Sequence, residues 1–273
     1  MKLINTTLSY ITRTTEDVGM WTEKIICDIL KIKFNTKRSY ITTNNYPIKL
    51  KKDIFSIKHI LLPLNISEHL GNKNEYYDFK TINGETVSLK TNINGSKICP
   101  QFLGQTTLQR FNEKTGYKLQ NQLEYKSLVL NDTTKIVNLY LSYLFCCEHL
   151  LSFKFDQGKI YYFKKTANVS FSKNHTIIFK ASKELSNWNN SMSLSIIINE
   201  KLYQLCEFQI HQSRNCIQCR FNLDTIVLLV LKRIIENVNV KSFDLQYKYN
   251  IKVLKSKFDD IETEIKTKKR KVA

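Results

Sequence analysis

Residues 75–92 read Glu75-Tyr-Tyr-Asp78-Phe-Lys-Thr-Ile-Asn83-Gly84-Glu85-Thr-Val-Ser88-Leu-Lys90-Thr-Asn, and Lys97-Ile-Cys-Pro100-Gln-Phe-Leu-Gly104-Gln105 follows closely. Two strand-like runs flank an Asn-Gly turn signal, which predicts a hairpin. Asp78 lies in the first run and Lys90 in the second. A carboxylate and a lysine side by side suit metal-dependent phosphodiester hydrolysis, which needs an activated water and stabilisation of developing charge. Face sharing is the condition. A two-residue turn at Asn83-Gly84 puts Asp78 and Lys90 on opposite faces. A three-residue loop, Asn83-Gly84-Glu85, or a bulge puts them on one face. The alternative is an ordinary cross-strand ion pair on a solvated hairpin.

Working outward, residues 20–32 place Trp21, Ile25, Ile29 and Ile32 at helical spacing, with Glu23 one turn in. Residues 53–70 are broken by Pro63 and read as a turn or short helix. A helix is expected over 101–112, and the strongest helical pattern covers 133–152. After about residue 155 the texture changes to short runs rich in Tyr, Phe, Ile and Val: 160–164, 167–171, 176–180, 192–198, 202–211 and 216–221. Asn199-Glu200 is a candidate hairpin turn. Residues 223–238 read as a buried helix with Asn222 as its N-cap, followed by a strand pattern over 242–254. The expected architecture is α/β, with a core over 1–155, a β-rich half over 156–255 and a basic tail over 256–273.

The chain of 273 residues carries 42 Lys and Arg against 24 Asp and Glu, a net charge of +18. Such an excess favours a polyanionic partner, nucleic acid first. A Lys-, Asn- and Ile-rich genome bias would also raise lysine without any binding role. Hydrophobic residues make up 42% of the chain, enough for a sizeable core and against global disorder. Seven cysteines without a regular framework fit free thiols in a reducing, cytoplasmic setting. No membrane span or signal peptide is expected; the apolar stretch 134–152 is interrupted by polar residues. The tail Lys266-Thr-Lys-Lys-Arg-Lys271 would serve nuclear import only in a eukaryotic host.

Between Glu207 and Arg220, the side chains of Gln209, His211, Arg214 and Arg220 are types that hydrogen-bond base edges and phosphates. The alternative there is an edge strand with satisfied polar groups. Glu207 shares the strand face of Gln209 and His211 and could support the hairpin. Cys206, His211, Cys216 and Cys219 do not present the separated ligand pairs of a structural zinc site, and a strand over 202–211 sends Cys206 away from His211.

Asp78 followed by Ser88-x-Lys90 resembles the PD-(D/E)xK nuclease signature, with serine in place of the second acidic residue and Tyr77 in place of proline. Glu23 resembles the helix glutamate that accompanies the signature. The segments Lys97–Gln105 and Glu207–Arg214 are similar to ones in type II restriction endonucleases. The resemblance touches about a fifth of the chain. It implies a restriction-endonuclease-like mixed sheet flanked by helices and a homodimer acting on double-stranded DNA. It implies Mg2+ held by Glu23, Asp78 and Ser88, with Lys90 positioning the attacking water. Ser88 is a weaker cation ligand than a carboxylate; Glu75, Glu85 or Glu23 would supply the missing charge. The competing reading is a non-catalytic DNA-binding protein on a nuclease-like scaffold. A third is a basic structural protein.

Overall fold

The computed structural model describes residues 14–35, 48–71, 77–93, 95–211 and 215–247. Arg214, Glu75 and the basic tail lie outside these residues. The fold is mixed α/β, with two sheets, flanking helices and a strand-rich C-terminal half. It divides into two compact units, and each draws on chain from both sides of residue 150.

The first unit contains 1–95, 151–161 and 242–273. Its helix α1, Thr14–Leu30, starts earlier than the apolar spacing implies. The inward face is Val18, Thr22, Ile25 and Ile26, and Trp21 is only half-buried. Lys31 adopts φ 57°, which ends the helix and leaves Ile32 outside it. Helices α2 (Ile48–Ser56) and α3 (Lys58–Leu61) follow, with a 3-10 turn at Leu62–Leu64. A strand, β1 (Ile66–His69), then occupies the end of a segment whose sequence suggests only a turn or helix. Four residues are too short for periodicity to reveal.

Strands β2 (Phe79–Thr81) and β3 (Thr86–Asn92) complete the hairpin. The sheet order is β1-β2-β3-β6-β7-β12, where β6 is His149–Lys154, β7 Lys159–Phe171 and β12 Ile235–Asp244. The last three contribute their 151–154, 159–161 and 242–244 stretches to this unit. All of β6 is buried. That explains why the predicted helix over 133–152 overruns: a strand covered on both faces reads as a continuous apolar run, like a buried helix.

The second unit contains 96–150 and 162–241. Its sheet runs β4 (Lys97–Ile98), β11 (Cys216–Asn222), β10 (Lys201–His211), β9 (Ser191–Ile198) and β8 (Ile178–Ala181), with β5 (Gln105–Thr106) also pairing β11. Asn199 and Glu200 both take positive φ, 47° and 64°, and form the expected β9–β10 turn. Helix α4 covers Leu108–Thr115, later than the predicted 101–112, because the Thr107 hydroxyl caps the Arg110 N–H. Helices α5 (Gln122–Asn131) and α6 (Thr133–Leu144) bury Tyr125 and Tyr140, whose hydroxyls lie 2.7 Å apart.

Helix α7, Leu223–Leu231, begins at the predicted cap, where the Asn222 side chain accepts from the Thr225 N–H. It stops seven residues before the expected 238, because Arg233 at φ 58° turns the chain into β12. None of the seven cysteines is in a disulfide. Among the described residues no helix is long and apolar enough to cross a membrane.

Candidate functional site

The site begins with the register of the β2–β3 hairpin in the first unit. Phe79 pairs with Val87 and Lys80 with Thr86, and the Thr81 N–H donates to the Glu85 carbonyl at 2.9 Å. The loop is therefore Ile82-Asn83-Gly84, one residue earlier than Asn83-Gly84-Glu85. Gly84 supplies the left-handed residue at φ 82°. A three-residue loop has the parity the chemistry requires. Asp78 falls beside Ser88, and Ser88 and Lys90 project from the same face of β3.

One carboxylate oxygen of Asp78, Oδ2, is held twice. It accepts from the Ser88 hydroxyl at 3.2 Å and from the Leu89 N–H at 2.6 Å. Burial pushes the Asp78 carboxyl above its ordinary value, against the opposing pull of the Lys90 charge and these two hydrogen bonds.

Helix α1 brings Glu23 to the same place. Gly19, one turn earlier, allows the approach: a Cβ there would lie 3.2 Å from Thr91 Oγ1 on β3. Burial also raises the Glu23 carboxyl; a hydrogen bond from His69 opposes this, the nearby charge of Asp78 reinforces it, and Lys90 offsets it in part. The two carboxylates therefore act on each other, and Lys90 acts on both. Glu85 sits instead at the hairpin loop, pairing through its carbonyl with Thr81.

His69, at the end of β1, has no counterpart among the residues the sequence singles out. It is fully buried, and its Nε2 lies 3.0 Å from Glu23 Oε2. A lone histidine in a four-residue strand gives no periodic signal. Its importance comes from contacts with residues 34 and 46 positions away.

Glu23 Oε1 and Asp78 Oδ1 make no hydrogen bond among the described residues. They are two hard oxygen donors on partly accessible side chains. That donor set fits Mg2+, which binds through one or two carboxylates and keeps several waters. It does not form a closed cage: among the described residues no group of three or more His, Cys, Asp or Glu side chains is arranged to hold a metal.

The second polar cluster belongs to the second unit. Glu207 pairs with Arg220, Gln209 with Gln218, and His211 with Cys216 along β10–β11. Arg220 Nη2 donates to Glu207 Oε2 at 2.8 Å, Lys97 Nζ pairs with the same oxygen, and Gln209 Nε2 donates to Oε1 at 3.1 Å. Burial raises the Glu207 carboxyl, but the hydrogen bonds and charges of Lys97 and Arg220 outweigh it and hold the group below its ordinary value. Glu207 is thus committed to its own sheet. His211 Nε2 lies 3.4 Å from Gln218 Oε1. Cys206 and Cys219 alternate onto the opposite, inward face, where their sulfurs interact.

No family model and no solved structure matches the chain. Over 217 residues it is 29% identical to the type II restriction enzyme CviAII of Paramecium bursaria Chlorella virus 1. The match takes in 79% of this chain and 60% of that enzyme. The chain is therefore a distant relative of a type II restriction enzyme and spans only part of that relative's length.

Proposed function

We propose that the chain is a Mg2+-dependent endonuclease that hydrolyses double-stranded DNA at specific sequences. The observation that carries this reading is the convergence of Glu23, Asp78, Ser88 and Lys90, with both carboxyls raised by burial. A polar site whose carboxylates are costly to ionise is suited to a divalent cation, which would stabilise the ionised pair. The distant relationship to a restriction enzyme and the charge of +18 support the same conclusion.

Glu23 and Asp78 would hold the ion through the oxygens left open by their hydrogen bonds. When bound, it supplies Lewis acidity and lowers the pKa of a coordinated water. Ser88 keeps Asp78 oriented through its hydroxyl, and its oxygen would be a third, weaker donor. The Lys90 ammonium would orient the attacking water and stabilise charge on the phosphate. Gln209, His211 and Arg220 would offer amide, imidazole and guanidinium groups to base edges and phosphates beyond the bonds they make within the sheet, with Arg214 assigned the same role. The strand-rich residues 156–255 would contribute most of this readout, and the basic tail over 256–273 phosphate contacts. A homodimer would match a palindromic site. Cysteines outside disulfides would suit a cytoplasmic setting.

The commitment of the Ser88 proton to Asp78 also favours a second reading, a DNA-binding protein that has lost catalysis. Incubation with plasmid DNA of known sequence and Mg2+ separates the two. Discrete fragments, absent with EDTA and with Asp78→Asn or Lys90→Ala, are expected for the nuclease. Salt-sensitive binding without cleavage, in either Mg2+ or Mn2+, would establish the second reading instead.

A further inference from the structure

We propose that His69 is a positioning residue for Glu23: its Nε2–H pins Oε2 of Glu23 and leaves Oε1 as the oxygen offered to a cation. The inference rests on the metal-site reading above and adds a residue that the signature does not contain.

The proton's location follows from the other side of the ring. The main-chain N–H of Asn35 donates to Nδ1 at 3.0 Å, so Nδ1 must be the acceptor and a neutral ring carries its proton on Nε2. That proton points at Glu23 Oε2, 3.0 Å away. The ring cannot turn out of this arrangement. It stacks on Phe34 with centroids 4.7 Å apart and an interplanar angle of 22°, and packs against Phe79 at 5.0 Å.

Gly71 closes the back. A Cβ there would come within 1.7 Å of the Asn35 carbonyl oxygen and 2.8 Å of the His69 ring. The Asn35 side-chain amide also donates to the His69 carbonyl. Asn35, Gly71 and His69 thus support one another, and the Nε2–H of His69 is what this group presents to Glu23. Asp78 is held similarly by Ser88 and Leu89, so each carboxylate has one oxygen fixed and one open. An outer hydrogen bond of this kind orients a ligand without touching the metal.

The alternative role is structural, a tie between β1 and α1 that only stabilises the unit. A double-mutant cycle read by Mn2+ binding, followed by the paramagnetic signal of free Mn2+, distinguishes them. His69→Leu should raise the half-saturating Mn2+ concentration about 10- to 100-fold. On a Glu23→Gln background the same change should have little further effect, because its target is already gone. His69→Gln retains an N–H donor near the Nε2 position and should stay within about threefold of wild type by that principle.

Near-UV circular dichroism establishes that each variant is folded. If the leucine variant fails to fold, the glutamine variant decides: retained Mn2+ binding supports the assignment, and lost binding in a folded protein overturns it. Equal, additive losses in the two backgrounds also overturn it. Wild-type binding that disappears in Asp78→Asn but is unchanged in His69→Leu overturns the role of His69 alone. A wild-type protein that binds no Mn2+ overturns both this proposal and the metal-site reading.

Discussion

Two carboxylate clusters in this chain differ in how their charge is met. Glu207 in the second unit has Arg220 and Lys97 on one oxygen and Gln209 on the other, and its carboxyl is held below its ordinary value. Glu23 and Asp78 in the first unit share one lysine and receive mostly neutral hydrogen bonds, and both carboxyls are pushed up. Both clusters are made of residues that look functional in a linear reading. The Glu207 cluster is already neutralised within its sheet. Lys90 only partly offsets the Glu23–Asp78 cluster, so an added cation would be stabilised more there than beside Glu207.

The largest expected contrast is catalytic. Glu23→Gln should reduce DNA cleavage by on the order of 10²–10³, the usual scale for losing one electrostatic element of a site. Glu207→Gln should leave turnover nearly unchanged. It should cost about 1 kcal/mol or more of stability, because Arg220 and Lys97 lose their charged acceptor. Comparable losses of cleavage in both variants would erase the distinction. Gly71→Ala comes next. The Asn35 oxygen occupies the space a methyl needs, and φ is 49°, so about 2–3 kcal/mol of destabilisation is expected, measured by chemical denaturation.

The pH dependence of stability should differ in sign between the clusters. Glu23 and Asp78 have raised folded pKa values, so the folded state keeps their protons longer than the unfolded chain does. Their contribution favours folding in acid and is lost as pH rises from the ordinary carboxylate range through the raised values. Glu207 has a lowered folded pKa. Its contribution is present above the ordinary value and is lost as pH falls through the depressed one. Melting curves of metal-free protein should therefore show Glu23→Gln gaining on wild type as pH rises, and Glu207→Gln losing on it. Parallel curves would contradict the assigned shifts. The smallest expected effect is at Cys27, which faces the core one helical turn from Glu23. Burial pushes its thiol up to about 12, with the Glu23 charge adding to this. Iodoacetamide at neutral pH should leave it unmodified while the half-buried Cys99 and Cys146 react.

Much of the second unit was legible, because its strands alternate cleanly and its turns carry Asn, as at Asn199-Glu200 and at the Asn222 cap. The errors have specific causes. The strand His149–Lys154 is buried on both faces and has no alternation to read. Arg233 and Lys31 terminate helices by adopting left-handed conformations that their residue types do not signal. At the site, strand parity across a short hairpin brought Asp78 and Lys90 into consideration, and the resemblance to the nuclease signature added Ser88. Its loop was one residue out of register, yet the parity was unchanged. His69, Asn35 and Gly71 were beyond its reach, since their relation exists only through long-range contacts. The apparent availability of Glu207 was likewise removed by two cations from other strands.

The central claim is that the under-neutralised pair takes a divalent cation and the neutralised one does not. Titration of Mn2+ into wild type, Asp78→Asn and Glu207→Gln tests it most directly. The account predicts saturable binding in wild type and Glu207→Gln, and loss of that binding in Asp78→Asn. Unaltered binding in Asp78→Asn, or loss in Glu207→Gln with the fold intact, would contradict it.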